Sequence, residues 1–447
     1  MNVHSLSLAS PQPSVHNGRV RDWGLFSVAR SVHGLISAPC LLFLLTLLIM
    51  LFRPPDVQFY SLDRIGLFVL IFVVMLRTLA LRQSPWIVGP VTFPMLALVL
   101  LALCSVLTEP YEPQTWSLFA AKWLVPFVLY HLAAFVFEDA AALRKFEMFA
   151  LIVLAYLSLT AIFFLADARS LIFPRYILNE SIGIHADRAR GPFLQAVANG
   201  VTLNLLGLIA VDSFRRRRLR GVFALLFMGA LPLAILATRT RAVWASFGAS
   251  VLLVPFFYPS KKVKRVCLCL LVGCSIGITS FLLLTDSNTS LSERMEERGP
   301  VEFRMGMYVA GWEMFLDKPI LGWAANSIQP ELARRINDFH PPIFLFHNTY
   351  LEIAVRNGLV GLSLYIWVII DLFRLGGTRR AFVPSTNNTF LDAEFRKLWP
   401  VLLVVYLVNA SFVVMNYQFV NGLLFTIAGM LAAQNRRARF DEACRVA

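Results

Sequence analysis

Charge is what this sequence is short of. Only 15% of its 447 residues are Asp, Glu, Lys or Arg, while 57% are hydrophobic and the mean hydropathy is +0.66. Soluble domains typically carry roughly 25% charged residues. Acid is scarcer than base, 27 residues against 41, which leaves a net charge of +14. In a soluble chain that excess would point to nucleic acid; at this hydropathy it fits loops on the cytoplasmic side of a polytopic membrane protein. No nucleic-acid partner is expected, and membrane lipids are. Cysteine is sparse and badly placed for cross-linking. Cys40, Cys104, Cys267, Cys269 and Cys274 fall in or beside apolar runs, Cys444 lies near the end, and no Cys-x-x-Cys pair occurs. That argues against a disulfide framework and against a zinc site. Also missing are an Asp-x-Asp pair of the metal-dependent nucleotide-sugar type, a Walker A loop and a Gly-x-Ser-x-Gly elbow. Acidic pairs outside the apolar runs are few, namely Asp56 with Asp63 and Glu109 with Glu112. No metal and no cofactor are therefore expected, and any chemistry must use a substrate that arrives already activated.

Long apolar runs are what the sequence has in abundance, Phe alone supplying 37 residues. A membrane-crossing helix needs about 20 mostly apolar residues. By that rule an all-α polytopic protein of about twelve spans is expected: 35–52, 65–81, 91–107, 118–137, 147–166, 193–212, 220–237, 242–257, 265–284, 349–373, 398–416 and 419–434. The basic clusters Arg215–Arg218, Lys261-Lys262 with Lys264-Arg265, Arg379-Arg380 and Arg436-Arg437 then all fall on one side, with Arg19, Arg21 and Arg30. By the positive-inside rule that side is the cytoplasm, and both termini lie there. The chain divides into a polar tail 1–34 without the pattern of a cleavable signal, spans one to nine over 35–284, an outer loop 285–348, spans ten to twelve over 349–434, and a tail 435–447.

Two outer segments are long, about 167–192 and 285–348. In the second, Ser290-x-x-Glu293 forms a possible capping box before Gly299-Pro300. Phe303, Met307, Ala310, Met314 and Phe315 follow at near-helical spacing, and a short amphipathic stretch occupies about 326–337. A small helical cap is expected there, not a sheet domain.

The outer side should be poor in positive charge, yet arginines gather on it: Arg188 and Arg190 before Gly191-Pro192, Arg239 and Arg241 in the turn between spans seven and eight, and Arg304 in the large loop. Near a membrane such residues are costly and need a partner or a purpose. The planar guanidinium fork suits phosphate oxygens, so the set reads as a diphosphate cradle. The plain alternatives are that Arg239 and Arg241 cap helix carbonyls and reach to headgroups, and that Arg188 pairs with Asp187. Arg294 and Arg298 are read as surface ion pairs, and Arg356 as an i,i+4 partner of Glu352. The stretch His347-Asn348-Thr349-Tyr350-Leu351-Glu352 opens the tenth span, and Thr349-x-x-Glu352 reads as a capping box. His347 and Asn348 then sit at the positive end of a helix. Close to arginines, an imidazolium is disfavoured, and a neutral His347 is the state a general base needs. It also reads as an ordinary cap or surface residue. His185 and His340 are weaker candidates, and His131 reads as a buried, hydrogen-bonded residue inside the fourth span.

These stretches resemble one known family. Arg188-Ala189-Arg190-Gly191-Pro192-Phe193 with Asn199 is similar to the R-x-x-G-P/T-F-x-N-x-N segment of O-antigen ligases and Wzy-type polymerases. Thr238-Arg239-Thr240-Arg241-Ala242 is similar to their T-x-S-R-A/G motif. Phe303-Arg304 and Trp312–Trp323 resemble the R-x-x-x-W…D-H-P-L-L-G-x-G stretch, with Lys318 in place of His and Trp323 in place of Gly. His347–Glu352 with Gly358–Leu362 resembles H-N-x-Y-L…G-L-x-G. Together they cover roughly residues 185–370, in the family order.

The resemblance implies a GT-C-type glycosyltransferase working on the periplasmic face of the bacterial inner membrane without metal or nucleotide sugar. The donor would be a glycan on undecaprenyl diphosphate, and the acceptor lipid A–core for a ligase or another lipid-linked glycan for a polymerase. Carried over, Arg190 and Arg241 correspond to diphosphate-binding arginines, Arg304 more distantly, and His347 to the catalytic histidine, with Asn348 and Asn199 in support. Two other classes compete. A lipid-linked oligosaccharide flippase would share the span count but has no need of a large outer loop ending in histidine. A passive receptor or scaffold could have that loop but no use for the outer arginines.

Overall fold

The structure, a computed structural model, describes residues 39–53, 61–82, 88–258, 260–284, 299–336, 346–377 and 389–446. These are helical, and no strand occurs among them. In chain order the helices are α1 Pro39–Leu51, α2 Leu62–Ala80, α3 Thr92–Leu107, α4 Pro113–Val136, α5 Ala140–Leu165, α6 Ala196–Arg215, α7 Gly221–Ala237, α8 Arg241–Phe257, α9 Lys261–Leu284, α10 Gly299–Asp317, α11 Ala325–Arg335, α12 Thr349–Gly376, α13 Ala393–Ala410 and α14 Gln418–Val446. Each of the twelve apolar segments expected from the sequence falls on one of these. Four helices, α4, α5, α6 and α12, are by themselves both long and apolar enough to cross a membrane. The expected tail 1–34, the Ser290-x-x-Glu293 box, Arg294, Arg298, His340 and Arg379-Arg380 lie outside the described residues.

Local chemistry accounts for the shifted boundaries. Asp139 caps α5 by accepting from the Ala142 amide, so that helix starts seven residues before its apolar stretch. Asp392 caps α13 in the same way through Glu394 and Phe395. Pro113 stands at the start of α4, where its missing N–H costs nothing. The last helix continues to Val446, past the boundary expected at 434.

Close backbone contact holds the centre. A Cβ on Gly429 of α14 would lie 2.1 Å from the Tyr130 carbonyl oxygen of α4. Only glycine lets the two helices approach so closely, as small residues do between helices in membranes. Helices α3, α4, α6, α12, α13 and α14 bury the larger core, around Trp399, Tyr130, Phe395 and Phe419. A second, smaller core of Met307, Met314, Ile328, Leu332, Phe346 and Val355 joins α10 and α11 to the first turns of α12.

The two ends of the bundle differ in polarity. One end gathers the start of α5, the end of α6, Tyr258 after α8, and the start of α13. There Arg216 pairs with Glu147 and Asp212, both at 2.7 Å, Arg215 pairs with Asp212 and Asp392, and Tyr258 donates to Asp212 at 2.8 Å. Arg436 reaches Glu138 at the same end. This is the end to which the basic loops were expected to sort. The opposite end brings together Arg53, which pairs with Asp63 and Gln418, the 167–194 segment, the α7–α8 turn, and the start of α12.

Candidate active site

Three stretches far apart in sequence meet at that second end, and main-chain contacts set their positions. The Ala189 amide donates to the Ala237 carbonyl at the end of α7 (3.0 Å). That bond places Arg188 and Arg190 next to the turn bearing Arg239 and Arg241. Asn199, buried on the first turn of α6, donates to the Ala189 carbonyl at 2.8 Å and holds the same turn from beneath. Gly191 has φ +57, and a Cβ there would meet the Asn199 side chain at 2.9 Å, so the Arg-Gly-Pro sequence allows contact that a larger residue would prevent.

Five residues at this end hold a left-handed backbone without being glycine: Asp167 (φ +53), His185 (φ +55), Leu194 (φ +53), Arg239 (φ +46) and His347 (φ +50). Such conformations occur for a few per cent of non-glycine residues and concentrate at functional sites. At Arg239 the reason is local. Helix α7 ends at Ala237 with Thr238 as its C-cap, and the Arg239 amide turns back to the Leu236 carbonyl at 3.0 Å, a tight left-handed exit.

The arginines differ in their surroundings. Arg190, read from the sequence as a diphosphate ligand, is buried. Its guanidinium donates to the carbonyls of Ile177 (3.0 Å), Ile182 (2.7 Å) and Asn179. It therefore gathers the 177–190 loop around itself. Burial lowers its pKa from the ordinary arginine value. Arg188 is paired with Asp187 at 3.8 Å, as its neighbour suggested. Arg241 is exposed at the first position of α8, and Arg239 is half-buried beside it. Neither Arg239 nor Arg304 has an ion-pair partner among the described residues.

His347 is half-buried at the mouth of the small core. Burial, followed by the positive charge of Arg304 and then by His185, pushes its pKa down from 6.5 to about 4. The imidazole is thus neutral at pH 7, as expected beside arginines, although burial contributes more than the charges. Tyr308, one turn beyond Arg304 on α10, donates its hydroxyl to the His347 carbonyl at 3.2 Å. Arg304, His185 and His347 are thereby brought within electrostatic reach of one another.

The capping box expected at the start of α12 does not form. The N-cap is Asn348, one residue earlier, whose Oδ1 accepts from the Tyr350 (2.9 Å) and Leu351 (3.1 Å) amides. These amides are not open to an anion. Thr349 instead turns to the 411–417 loop, donating to the Val413 carbonyl at 2.8 Å and accepting from the Met415 amide at 3.0 Å. Glu352 points inward and pairs with Lys122 at 2.7 Å and Arg356 at 3.0 Å. The Arg356 pair was legible from its spacing; the Lys122 pair was not, because 230 residues separate the partners. Lys122 lies on a π-helical turn, Ala120–Leu124, a local widening that often marks functional sites. A cavity of about 50 Å³ opens beside the pair, lined by Thr115, Trp123, Arg356 and Asn416 among others. His131 is a core residue, packed edge-on against Phe127 and Tyr130.

The two departures from the family pattern answer one another. Lys318 lies over the Trp323 ring, 3.9 Å from its centroid, and the Trp323 indole donates to the Met314 carbonyl at 2.6 Å. The turn between them docks on α12 by main-chain bonds, Leu359 N–H to Pro319 O at 2.7 Å and Val360 N–H to Ile320 O at 3.3 Å. Those amides are free because α12 breaks at Gly358, where φ is +61 and ψ −160. Thus Pro319-Ile320-Leu321-Gly322 and Gly358-Leu359-Val360-Gly361 form one unit.

This arrangement agrees with a match to known sequences. Residues 222–366, from α7 through the site turn and α10 into α12, match the family model described as O-antigen ligase. Over those residues the chain is similar to the O-antigen ligase and Wzy-type family. The match takes in Arg239, Arg241, Arg304, His347 and the Gly358 break; Arg188, Arg190 and Asn199 lie upstream of it. No curated protein matches the chain. The matched segment thus resembles a glycan ligase or polymerase, and the long apolar helices mark a membrane protein.

Proposed function

We propose that this protein is an O-antigen ligase-type glycosyltransferase of the GT-C class, with about twelve spans, in the bacterial inner membrane. Both termini face the cytoplasm and the site faces the periplasm. It transfers a glycan from undecaprenyl diphosphate to a hydroxyl of lipid A–core. The observation that carries this reading is a histidine held neutral by burial, next to Arg304, at the end of the bundle where the other outer arginines collect.

The acceptor hydroxyl gives its proton to the neutral imidazole of His347 as its oxygen attacks the anomeric carbon. The bond from that carbon to the diphosphate oxygen breaks on the opposite face, so configuration inverts. The leaving diphosphate gains negative charge, which Arg241, with Arg239, Arg188 and Arg304, stabilises as it develops. Arg190 contributes by holding the loop that presents Arg188 and His185. Asn199 supports the Arg188–Arg190 turn, and Asn348 sets the start of α12 immediately after His347.

The test is transfer by purified protein in nanodiscs, given labelled undecaprenyl-diphosphate oligosaccharide with and without lipid A–core. Label on lipid A–core, appearing only when it is supplied, is the expected result. Longer lipid-linked chains made without core would assign the polymerase reaction instead. Intact, bound donor with no transfer in either case would return the protein to the transporter class.

A further inference from the structure

Helix α10 buries one face and leaves a second apolar face uncovered. Met307, Ala310 and Met314 pack into the small core. On the other side Met305, Val309, Trp312 and Leu316, spaced four, three and four residues apart, form a continuous stripe. Each is more than half exposed, at 60%, 53%, 54% and 57%. By helical periodicity the stripe is bordered on one flank by the acidic residues Glu302 and Glu313 and on the other by Arg304 and Tyr308. Four large apolar side chains in a row, rimmed by polar ones, mark a surface that something covers.

What covers it is indicated by continuity. The stripe runs on into Ile320 and Leu321, exposed at 65% and 66%. Their turn is hydrogen-bonded to Leu359 and Val360 of α12. Those residues are exposed too, and with Ser363, Leu364 and Trp367 they line an open groove of about 450 Å³ on a helix long and apolar enough to cross the membrane. Exposed apolar side chains therefore occur on a spanning helix, on the turn docked to it and on α10, with the charged Asp317 and Lys318 between Leu316 and Ile320. At the junction Lys318 stacks on Trp323, the pair of residue types that settles at a membrane–water interface.

We propose that α10 lies in the interface of the outer leaflet, its Met305–Leu316 stripe among lipid acyl chains and its Glu302 and Glu313 flank in water. Amphipathic interfacial helices sit about 5–10 Å into the headgroup boundary. The helix then holds Arg304 and Tyr308, and through Tyr308 the His347 main chain, at headgroup depth. This inference does not rest on the transferase reading, and its test does not measure transfer.

The experiment places single spin labels on a cysteine-free version of the full chain in phosphatidylethanolamine–phosphatidylglycerol nanodiscs. Labels go at Met305→Cys, Val309→Cys, Leu316→Cys and Leu321→Cys, with Glu302→Cys and Glu313→Cys on the flank. Collision with oxygen is compared with collision with a water-soluble nickel chelate. Oxygen should dominate at the four apolar positions and the chelate at the two acidic ones. Chelate dominance at Val309→Cys and Leu316→Cys would put the helix in water and overturn the proposal. Low collision with both agents would also overturn it. Dipolar broadening would then assign the face to a second copy of the chain, and its absence to protein from the same chain. Three stripe positions and Leu321 keep the test decisive if one variant does not fold.

Discussion

His347 and the arginines around it hold the sharpest consequences at the scale of single residues. Because the imidazole titrates near pH 4, it stays available as a base well below neutrality. The acid limb of the rate profile is expected near pH 4 instead of near 6.5. Arg304→Met should raise that limb by part of the difference, since burial is the larger cause; a pH–rate series on both proteins checks it. For stability the sign is the same. Between about pH 4 and 6.5 the unfolded chain binds the proton at His347 and the folded chain does not, so the fold loses stability as pH falls through that window. His347→Ala should lower transfer by about 10²–10⁴-fold, the usual worth of a placed base. Arg190 and Arg241, alike in the sequence, should separate. Arg190→Ala strands the buried Ile177 carbonyl, at a cost of about 1–3 kcal/mol, and frees the part-buried Ile182 carbonyl, and should lower thermal stability together with activity. Arg241→Ala removes an exposed side chain and should lower transfer, by on the order of 10²-fold, with a smaller fall in melting temperature than Arg190→Ala. The arginine-rich motifs were legible one by one because each is local. That one arginine builds a loop while another faces outward was not legible, because it depends on which carbonyls the fold brings to Arg190.

At the scale of elements, the break in α12 and the π-turn in α4 position the site. Gly358 combines φ +61 with ψ −160, a region open essentially to glycine alone, and a Cβ there would lie 2.1 Å from the Ile320 carbonyl oxygen. Gly358→Ala should destabilise the protein by about 3 kcal/mol or more, since backbone strain and a backbone clash add. Limited proteolysis should then cut first around residues 317–323. Lys122, widened out of register on its π-turn, is the buried counter-charge to Glu352. Lys122→Met should reduce thermal stability by about 3–5 kcal/mol, the usual cost of unpairing a buried charge, lessened by the remaining Arg356. Melting temperature in detergent is the measurement. The helical segments themselves were readable from apolar runs, and α10 and α11 from 3.6-residue spacing. The capping box at Thr349 misled because Asn348, also a good cap, stands one residue before it, and because Thr349 and Glu352 find partners at positions 413 and 122 that no local pattern records.

Across the whole molecule, the two ends do different work. One is locked by ion pairs among Glu147, Asp212, Arg215, Arg216 and Asp392, which tie α5, α6 and α13 together. Arg216→Met should cost about 3–5 kcal/mol by leaving Glu147 buried without its charge partner. Arg216→Met with Glu147→Leu should recover much of that, because an apolar pair can replace a buried ion pair at little loss. Thermal unfolding of the two variants in the same detergent gives the comparison. The other end has ion pairs of its own, Arg53 with Asp63 and Lys122 and Arg356 with Glu352, and adds a half-buried histidine, arginines from buried to exposed, and left-handed backbone. By itself the sequence determined the all-helical class, the places of the helices, the family resemblance and the set of residues from which a site could be built. Those follow from hydropathy, periodicity and short motifs, which act over a few turns of chain. Only the tertiary structure decided which arginine is committed to carbonyls, what lowers the pKa of His347, where Lys122 finds its partner and which face of α10 stays uncovered. Each of these is set by atoms that are neighbours in space and strangers in sequence, and burial, the largest influence on the histidine, exists only once the chain has packed.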